Sequence, residues 1–441
     1  MGLWQWFWEW LTGRYAAPDR SRPAAATGFP RGSLRSEAKS KSRHPDDIFY
    51  LGRGVSQGLA DLRADAQRLR QLGLPVLATP GDVAAALGVT VSHLRWLTYH
   101  SEAAVVDHYL RFTVPKKNGG LRELAAPHRD LRRCQQWIRE HLLARLPAHP
   151  AAHGFLPGRN IVTNARPHAR AAILVNVDLA DFFPSITFPR VQGLWKSLGF
   201  SPAAATILAL LCTDAPRRKL LIQNRACYVA TGPRVLPQGA CTSPAVSNLI
   251  ARRLDARLSG IATRLGWTYT RYADDLTFSY PAAADTVSNP SAADSVSDSR
   301  VAGAIGNAPA ALHDLNGQAA HNGQMGYNGQ VGYLLARIRH IVQDEGFRVN
   351  EEKTRVLRRN AAQIVTGLVV NDGVHVKREI RRRLRAILHQ AERTGLAAQN
   401  RGGHPNFAGQ LLGQVAFVAM VQPREGARLK ERLLRLLAEH P

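Results

Sequence analysis

The segment TYTRYADDLTFSY, residues 268–280, sets two adjacent carboxylates, Asp274 and Asp275, inside a run that is otherwise rich in β-branched and aromatic residues. Trp267, Tyr269 and Ala273 alternate before the acids, and Leu276, Phe278 and Tyr280 after them, which reads as a strand pair. Short acidic side chains suit tight turns, so the local pattern predicts a hairpin and accounts for both acids as turn formers. A third acid adds a second reading. The stretch ILVNVDLADFFPSIT is β-branched up to Asp178 and stops at Pro184, the pattern of a buried strand ending in a carboxylate. If these strands are neighbours, the carboxylates converge and raise one another's pKa. A divalent cation removes the conflict, and hard carboxylate oxygens suit Mg²⁺. Two such ions about 3.5–4 Å apart activate an attacking hydroxyl and stabilise the leaving oxygen of an in-line phosphoryl displacement. The chemistry implied is nucleotidyl transfer.

Charge indicates the partner. Lys and Arg number 58 against 33 Asp and Glu, a net +25, and the positives concentrate in VPKKNGGLRE and VKREIRRRLR. Such a surplus calls for a polyanion, nucleic acid before a membrane surface. Cys134, Cys212, Cys227 and Cys241 lack paired ligand spacing, which fits reduced cytoplasmic thiols and argues against a zinc finger. No apolar run is long enough to span a bilayer. The opening MGLWQWFWEWLTG lacks a basic leader and a cleavage signal and carries Glu9, so it is not read as a signal peptide. Trp4, Phe7, Trp8 and Leu11 would share one helical face, suggesting a docking helix.

Residues 1–48 read as this Trp-rich start followed by a flexible basic linker. Helical patterns fill 49–108, in GLADLRADAQRLRQLG and TPGDVAAALGVTVSHLRWLTYH. The second is read as packing helices rather than a DNA-reading helix-turn-helix, because its later half is apolar and aromatic. HYLRFTVPKKNGGLRELAAP predicts a hairpin with Lys116, Lys117 and Arg122 near its glycine tip. The loop LPQGACTSPAVSN leads into a long helix before the acidic hairpin. Residues 281–332 are Ala, Ser, Asp, Asn and Gly with NGQ recurring, which predicts a disordered insertion dispensable for catalysis. A helix and a strand follow in YLLARIRHIVQDEGFRVNEEKTRVL, and residues 371–441 read as helical.

YADD on a hairpin, VDLADFF on an earlier strand, LPQGACTSPAVSN between them and GFRVNEEKTRV after them resemble the palm motifs of reverse transcriptases. The order and spacing agree over residues 109–370, apart from the insertion. HGFLPGRNIVTNARPH resembles the signature of the retron branch, with Asn164, Ala165 and His168 at its end. QIVTGLVVN carries the Val365, Thr366, Gly367 triplet typical of that branch, and LLGQVAFVAMVQP resembles its thumb. The resemblance implies an α+β right-hand polymerase, with fingers and palm over 109–370 and a helical thumb over 371–441. It further implies RNA-directed DNA synthesis from deoxynucleoside triphosphates with two Mg²⁺ ions. A cognate structured noncoding RNA would serve as template and primer, its 2′-hydroxyl starting a branched RNA–DNA and leaving an RNA–DNA hybrid. Family membership also suggests anti-phage defence with a separately encoded effector protein. Two rivals stay open: a group II intron-like or diversity-generating reverse transcriptase, and a non-catalytic RNA-binding protein on a polymerase scaffold.

Carried onto this chain, the resemblance makes Asp178 and Asp274 metal ligands together with the main-chain carbonyl of Leu179, and Asp275 a third, more structural carboxylate. Phe183 takes the place beneath the incoming sugar, where a ring excludes a 2′-hydroxyl, while Phe182 reads as core. Lys116, Lys117 and Arg122 hold the triphosphate, Lys117 favoured over Lys116, with a solvated hairpin tip as the plain alternative. Gln238 and Gly239 flank the nascent base pair. Lys353 fits a proton donor to pyrophosphate, although Glu351 and Glu352 offer it an ordinary ion pair. Asn164, His168, Val365, Thr366 and Gly367 are read as RNA-binding, against the plainer reading of His168 as a satisfied core histidine. Arg378, Arg381, Arg382 and Arg385 share a broad helical face suited to phosphates.

Overall fold

The computed structural model describes residues 48, 50–115, 119–222, 225–282 and 327–439. The Trp-rich start with its linker, Lys116 and Lys117, and the insertion from 283 to 326 lie outside the described residues. The chain divides into two compact units, the first closing at Val374 and the second opening at His375.

The first unit begins with helices α1 (Ala66–Gln71), α2 (Pro80–Leu87) and α3 (Val91–Thr98). α1 is shorter than its sequence pattern because Asp65 caps it, accepting from the Arg68 N–H. α2 starts on a capping box of Thr79 and Asp82 and ends at Gly88 in the left-handed region. Leu94, Leu97 and Thr98 of α3 are buried, the packing role expected of it.

Strand β1 (Ala103–Ala104) joins β5 (Arg217–Ile222) and β6 (Arg225–Ala230) in a three-stranded sheet ordered β1-β6-β5. β2 (Tyr109–Pro115) and β3 (Leu121–Pro127) form the expected basic hairpin, followed by α4 (Arg129–His141) and the short α5 (Ile161–Ala165). The remaining helices of this unit are α6 (Phe188–Ser197), α7 (Pro202–Cys212), α8 (Ser243–Ile250), α9 (Arg252–Arg264) and α10 (Tyr327–Asp344).

β4 (Ala171–Leu179), β7 (Thr268–Tyr272), β8 (Asp275–Pro281) and β9 (Val349–Arg358) make an antiparallel sheet ordered β7-β8-β4-β9. β4 is central and buried on both faces, hence its largely apolar sequence. Alternation gives the two faces opposite character. Val175, Phe278 and Tyr269 stand in register on one face, the last two stacked with centroids 4.7 Å apart. On the other face Asn176, Thr277 and Thr270 form a polar row, and beside it Asp178, Asp275 and Tyr272 form the next. Burying Phe278 completely contributes about 1.5–3 kcal/mol, so a one-residue slip would lose the apolar face. β10 (Ile364–Val365) and β11 (Leu368–Val369) close the unit as a small hairpin.

α10 corrects one boundary. The insertion was expected to run to residue 332, yet the helix starts at Tyr327. Val331, Leu334, Ile338, Ile341 and Val342 form a buried stripe at helical spacing, which draws the helix start back into the low-complexity segment.

The second unit packs α11 (Arg378–Thr394), α12 (Phe407–Val421) and α13 (Pro423–Glu439) around Leu384, Leu388, Leu411, Val415, Val418 and Leu433. Among the described residues, no helix is long and apolar enough to cross a membrane.

Candidate active site

The acids of distant strands meet. Asp178 lies directly opposite Asp275 across the β4–β8 ladder, and Asp274 occupies the two-residue turn between β7 and β8. Ala273, the first turn residue, has φ +58°, the left-handed backbone that tight strand-matched turns require. The Leu179 N–H donates to the Asp274 carbonyl at 2.9 Å, tying β4 to the turn. Burial and then the neighbouring Asp178 hold the Asp274 carboxyl above its ordinary range. Asp275 is pushed up to about 7 by burial, then by Asp274 and Asp178. Its side chain is nonetheless open to solvent, so water screens part of that effect.

A buried arginine fixes the turn. Arg271 is fully buried and pairs with both oxygens of Asp255 at 2.8 and 2.7 Å. It also donates to Asn248 Oδ1 and to the Ala273 carbonyl, each at 3.1 Å. Asn248 in turn donates to the Gly154 carbonyl at 2.9 Å. A Cβ on Gly154 would fall 2.7 Å from the Ala273 nitrogen, so only glycine lets that loop approach the turn so closely. Neither Arg271 nor Asp255 stood out in the sequence. The available signal was a charged residue at an inward position of an alternating strand.

Lys353 meets Asp178 beside an irregularity in the ladder. Asn176 faces Arg355 while Asp178 faces Asn350, so β9 takes up three extra residues against β4. The slip sets Asn350 opposite Asp178, donating to Oδ1 at 3.1 Å, while the Lys353 ammonium lies 3.1 Å from each Asp178 oxygen. Glu351 is engaged by Arg339, at 2.8 Å, which corrects the expectation of a Glu351 pair with Lys353. Among the described residues no group of three or more His, Cys, Asp or Glu is arranged as a ready metal cluster. The donor chemistry still fits a hard divalent cation: Asp178, Asp274 and Asp275 share one end of the sheet and burden one another with negative charge.

The nucleotide-side residues gather around this centre. Phe183 is half-buried, its ring 5.6 Å from Phe182 and 6.2 Å from Phe155, whereas Phe182 is core. Arg190 clamps the loop beneath it, donating to the carbonyls of Ser185, Glu345 and Gly346 at 2.8–3.1 Å. Its guanidinium also lies 4.4 Å over the Phe347 ring, which stacks on Phe182. Arg122 is near enough to Asp274 to oppose the rise in its pKa. The Ala125 N–H donates to the Gln238 carbonyl at 2.7 Å, which seats the LPQG loop on β3. Gly239 has φ +116°, and a Cβ there would meet the Ala125 oxygen at 2.8 Å.

The residues expected to touch RNA divide. Asn164 and His168 are fully buried, so neither offers a face to RNA, a correction to that expectation. The His168 ring nitrogens lie 2.7 Å from the Ser279 and Thr270 hydroxyls, plugging the polar sheet face below the acids. Burial, then His153, lowers the His168 pKa to about 3. Val365 is also buried, but Thr366 and Gly367 form the tip of the β10–β11 hairpin, both with positive φ. That hairpin packs where α5 does: Thr366 donates to the Ile161 carbonyl at 3.3 Å, and Asn176 of β4 donates to the Ile364 carbonyl at 2.8 Å. The two motifs thus cover the same sheet face that carries the acids. In the second unit, Arg381 and Arg385 both bind Glu425, at 3.1 and 2.7 Å, while Arg378 and Arg382 stay exposed without such a partner among the described residues.

Comparison with known proteins now gives this arrangement a class. A family model described as reverse transcriptase (RNA-dependent DNA polymerase) matches residues 114–293, so the protein is an RNA-dependent DNA polymerase. The retron Mx162 reverse transcriptase of Myxococcus xanthus is 38% identical over 430 residues, covering 93% of this chain and 79% of its own. The retron Mx65 reverse transcriptase of the same organism is 41% identical over 377 residues, covering 86% and 76%. The chain belongs to the retron reverse transcriptases. A solved telomerase from Candida albicans aligns with TM-score 0.40 at 8% identity, covering 75% of this chain and 63% of its own, too loosely for any argument.

Proposed function

We propose that the protein copies part of a cognate structured noncoding RNA into DNA, starting from a 2′-hydroxyl of that RNA to give a branched RNA–DNA. The observation that carries the reading is the meeting of Asp178, Asp274 and Asp275 at one end of the β7-β8-β4-β9 sheet. In this reading the sheet is the palm, β2–β3 and the surrounding helices are fingers, and α11–α13 are the thumb of a right-hand polymerase. Asp178, Asp274 and the Leu179 carbonyl would hold two Mg²⁺ ions, which when bound activate the attacking hydroxyl and stabilise the leaving oxygen. Asp275 anchors the strand that carries the turn. Phe183 forms the floor under the incoming sugar and excludes a 2′-hydroxyl. Arg122, with Lys116 and Lys117, grips the triphosphate, and Gln238 and Gly239 border the nascent pair. Lys353 gives up a proton to the departing pyrophosphate. Exposed Arg378 and Arg382 take backbone phosphates.

Anti-phage defence with a separate effector extends this reading and rests on the family alone. Sequencing the nucleic acid that co-purifies with the full chain tests the proposal. A short DNA joined 2′–5′ to one RNA species is the expected result. Linear complementary DNA without a branch would favour the intron-like or diversity-generating alternative. An inert protein on a generic template–primer would favour the non-catalytic scaffold.

A further inference from the structure

The second unit contains a cavity of about 750 Å³ between α11, the loop after it and the start of α12. Arg383, Ile387 and Gln390 line it from α11, Arg401 from the loop, and Phe407 and Gln410 from α12. Among the described residues no acidic side chain lines it. Its rim is built rather than slack: Asn400 accepts from the His404 N–H at 2.8 Å and donates to the His404 carbonyl at 2.9 Å. The Asn406 side chain then caps α12 through the Gly409 N–H at 2.8 Å. Unlike Arg381 and Arg385, the Arg383 and Arg401 guanidinium groups pair with no acid among the described residues. The side-chain amides of Gln390 and Gln410 are likewise unengaged there, and α11 already buries Leu384 and Leu388 on its other face.

Each free group has a counterpart in a single nucleotide. Amides match the donor and acceptor edges of a base, Phe407 and Ile387 match its face, and guanidinium groups match the flanking phosphates. A continuous duplex presents no base face to such a site, so the ligand must be unpaired. We propose that this cavity takes one unpaired nucleotide of the RNA, displaced from a paired stem, and thereby sets where that RNA seats on the second unit. The inference rests on the reading of the protein as a binder of its own structured RNA.

The test uses the full chain and five loop-free, two-strand RNA duplexes. One is fully paired, and the others each carry a single unpaired A, C, G or U. The wild type is expected to bind at least one bulged duplex about tenfold more tightly than the paired one. Gln390→Ala with Gln410→Ala should bind all five alike. Equal binding of all five by the wild type overturns the proposal, as does a preference that survives in the double variant. A photo-crosslinking residue at position 390 separates occupants: crosslinks to the unpaired nucleotide support the assignment, whereas crosslinks scattered along the stem or to protein sink it. Extension of a generic template–primer by the wild type reports separately on the polymerase reading, so the two fail independently.

Discussion

The Lys353 ammonium lies 3.1 Å from both carboxylate oxygens of Asp178, beside a strand irregularity that sets Asn350 opposite that acid. A cation so held is positioned to donate a proton near the acids. Lys353→Ala should lower single-turnover extension by about a hundredfold or more, with little change in nucleotide KM. Lys353→Arg should restore binding of Asp178 but not proton donation. Full activity of the alanine variant in rapid-quench assays would contradict the role.

Asp274→Asn removes a ligand and a source of repulsion together. Because burial and Asp178 already hold the Asp274 carboxyl up, the neutral amide should not lower the melting temperature. Extension should fall at least about a hundredfold at any Mg²⁺ concentration. A fall in both stability and activity would mean the turn had collapsed instead.

Sugar selection should respond to two residues in one direction. Phe183→Val should raise incorporation of ribonucleotides relative to deoxynucleotides. Arg190→Ala should do so more weakly, since it releases the Ser185, Glu345 and Gly346 carbonyls while leaving the ring in place. Single-nucleotide incorporation ratios decide it, and an unchanged ratio for Phe183→Val would remove the steric account.

Breaking the Arg271–Asp255 pair should be costly in a recognisable way. Arg271→Met leaves a buried carboxylate alone, at about 3–5 kcal/mol in urea unfolding. Adding Asp255→Leu should recover much of that stability. Extension should stay impaired in the double variant, because the Ala273 carbonyl has still lost its donor. Recovery of both would reduce Arg271 to a packing element.

His168 makes the fold acid-sensitive. Its folded pKa near 3 lies below the ordinary 6.5, so between those values the unfolded chain binds the extra proton. Stability is therefore complete above about pH 6.5 and falls as pH drops through that window, by up to about 1.4 kcal/mol per pH unit. His100 and His153, each lowered to about 4 mainly by burial, steepen the same limb. His168→Gln should flatten it, and an unaltered slope in chemical unfolding at pH 4.5–6.5 would refute the assignment.

The acidic hairpin was legible because turn chemistry and strand alternation are local properties. The second acid-bearing strand was legible from its β-branched run, whereas the α+β architecture came from the family resemblance. Long-range pairing was not legible. Nothing in NEEKTR announces that β9 lies beside β4, so Lys353 stood equally well beside Glu351. Asn164 and His168 are polar residues in a polar motif, and only the Thr270 and Ser279 hydroxyls, on neighbouring strands, turn the histidine inward. Arg381 and Arg385 lose their freedom to Glu425, which lies in another helix. The basic count was right, but which charges remain available depends on tertiary partners.

The slip in β9 has an evolutionary side. A surplus loop within an edge strand can lengthen or shorten without disturbing the pairs that flank it, from Asn176 with Arg355 to Asp178 with Asn350. The sheet therefore behaves as a rigid rule, and the slip as an adjustable spacer mounted on it. Insertions or deletions at residues 351–354 would retune the reach of one ammonium while leaving the acids where they are.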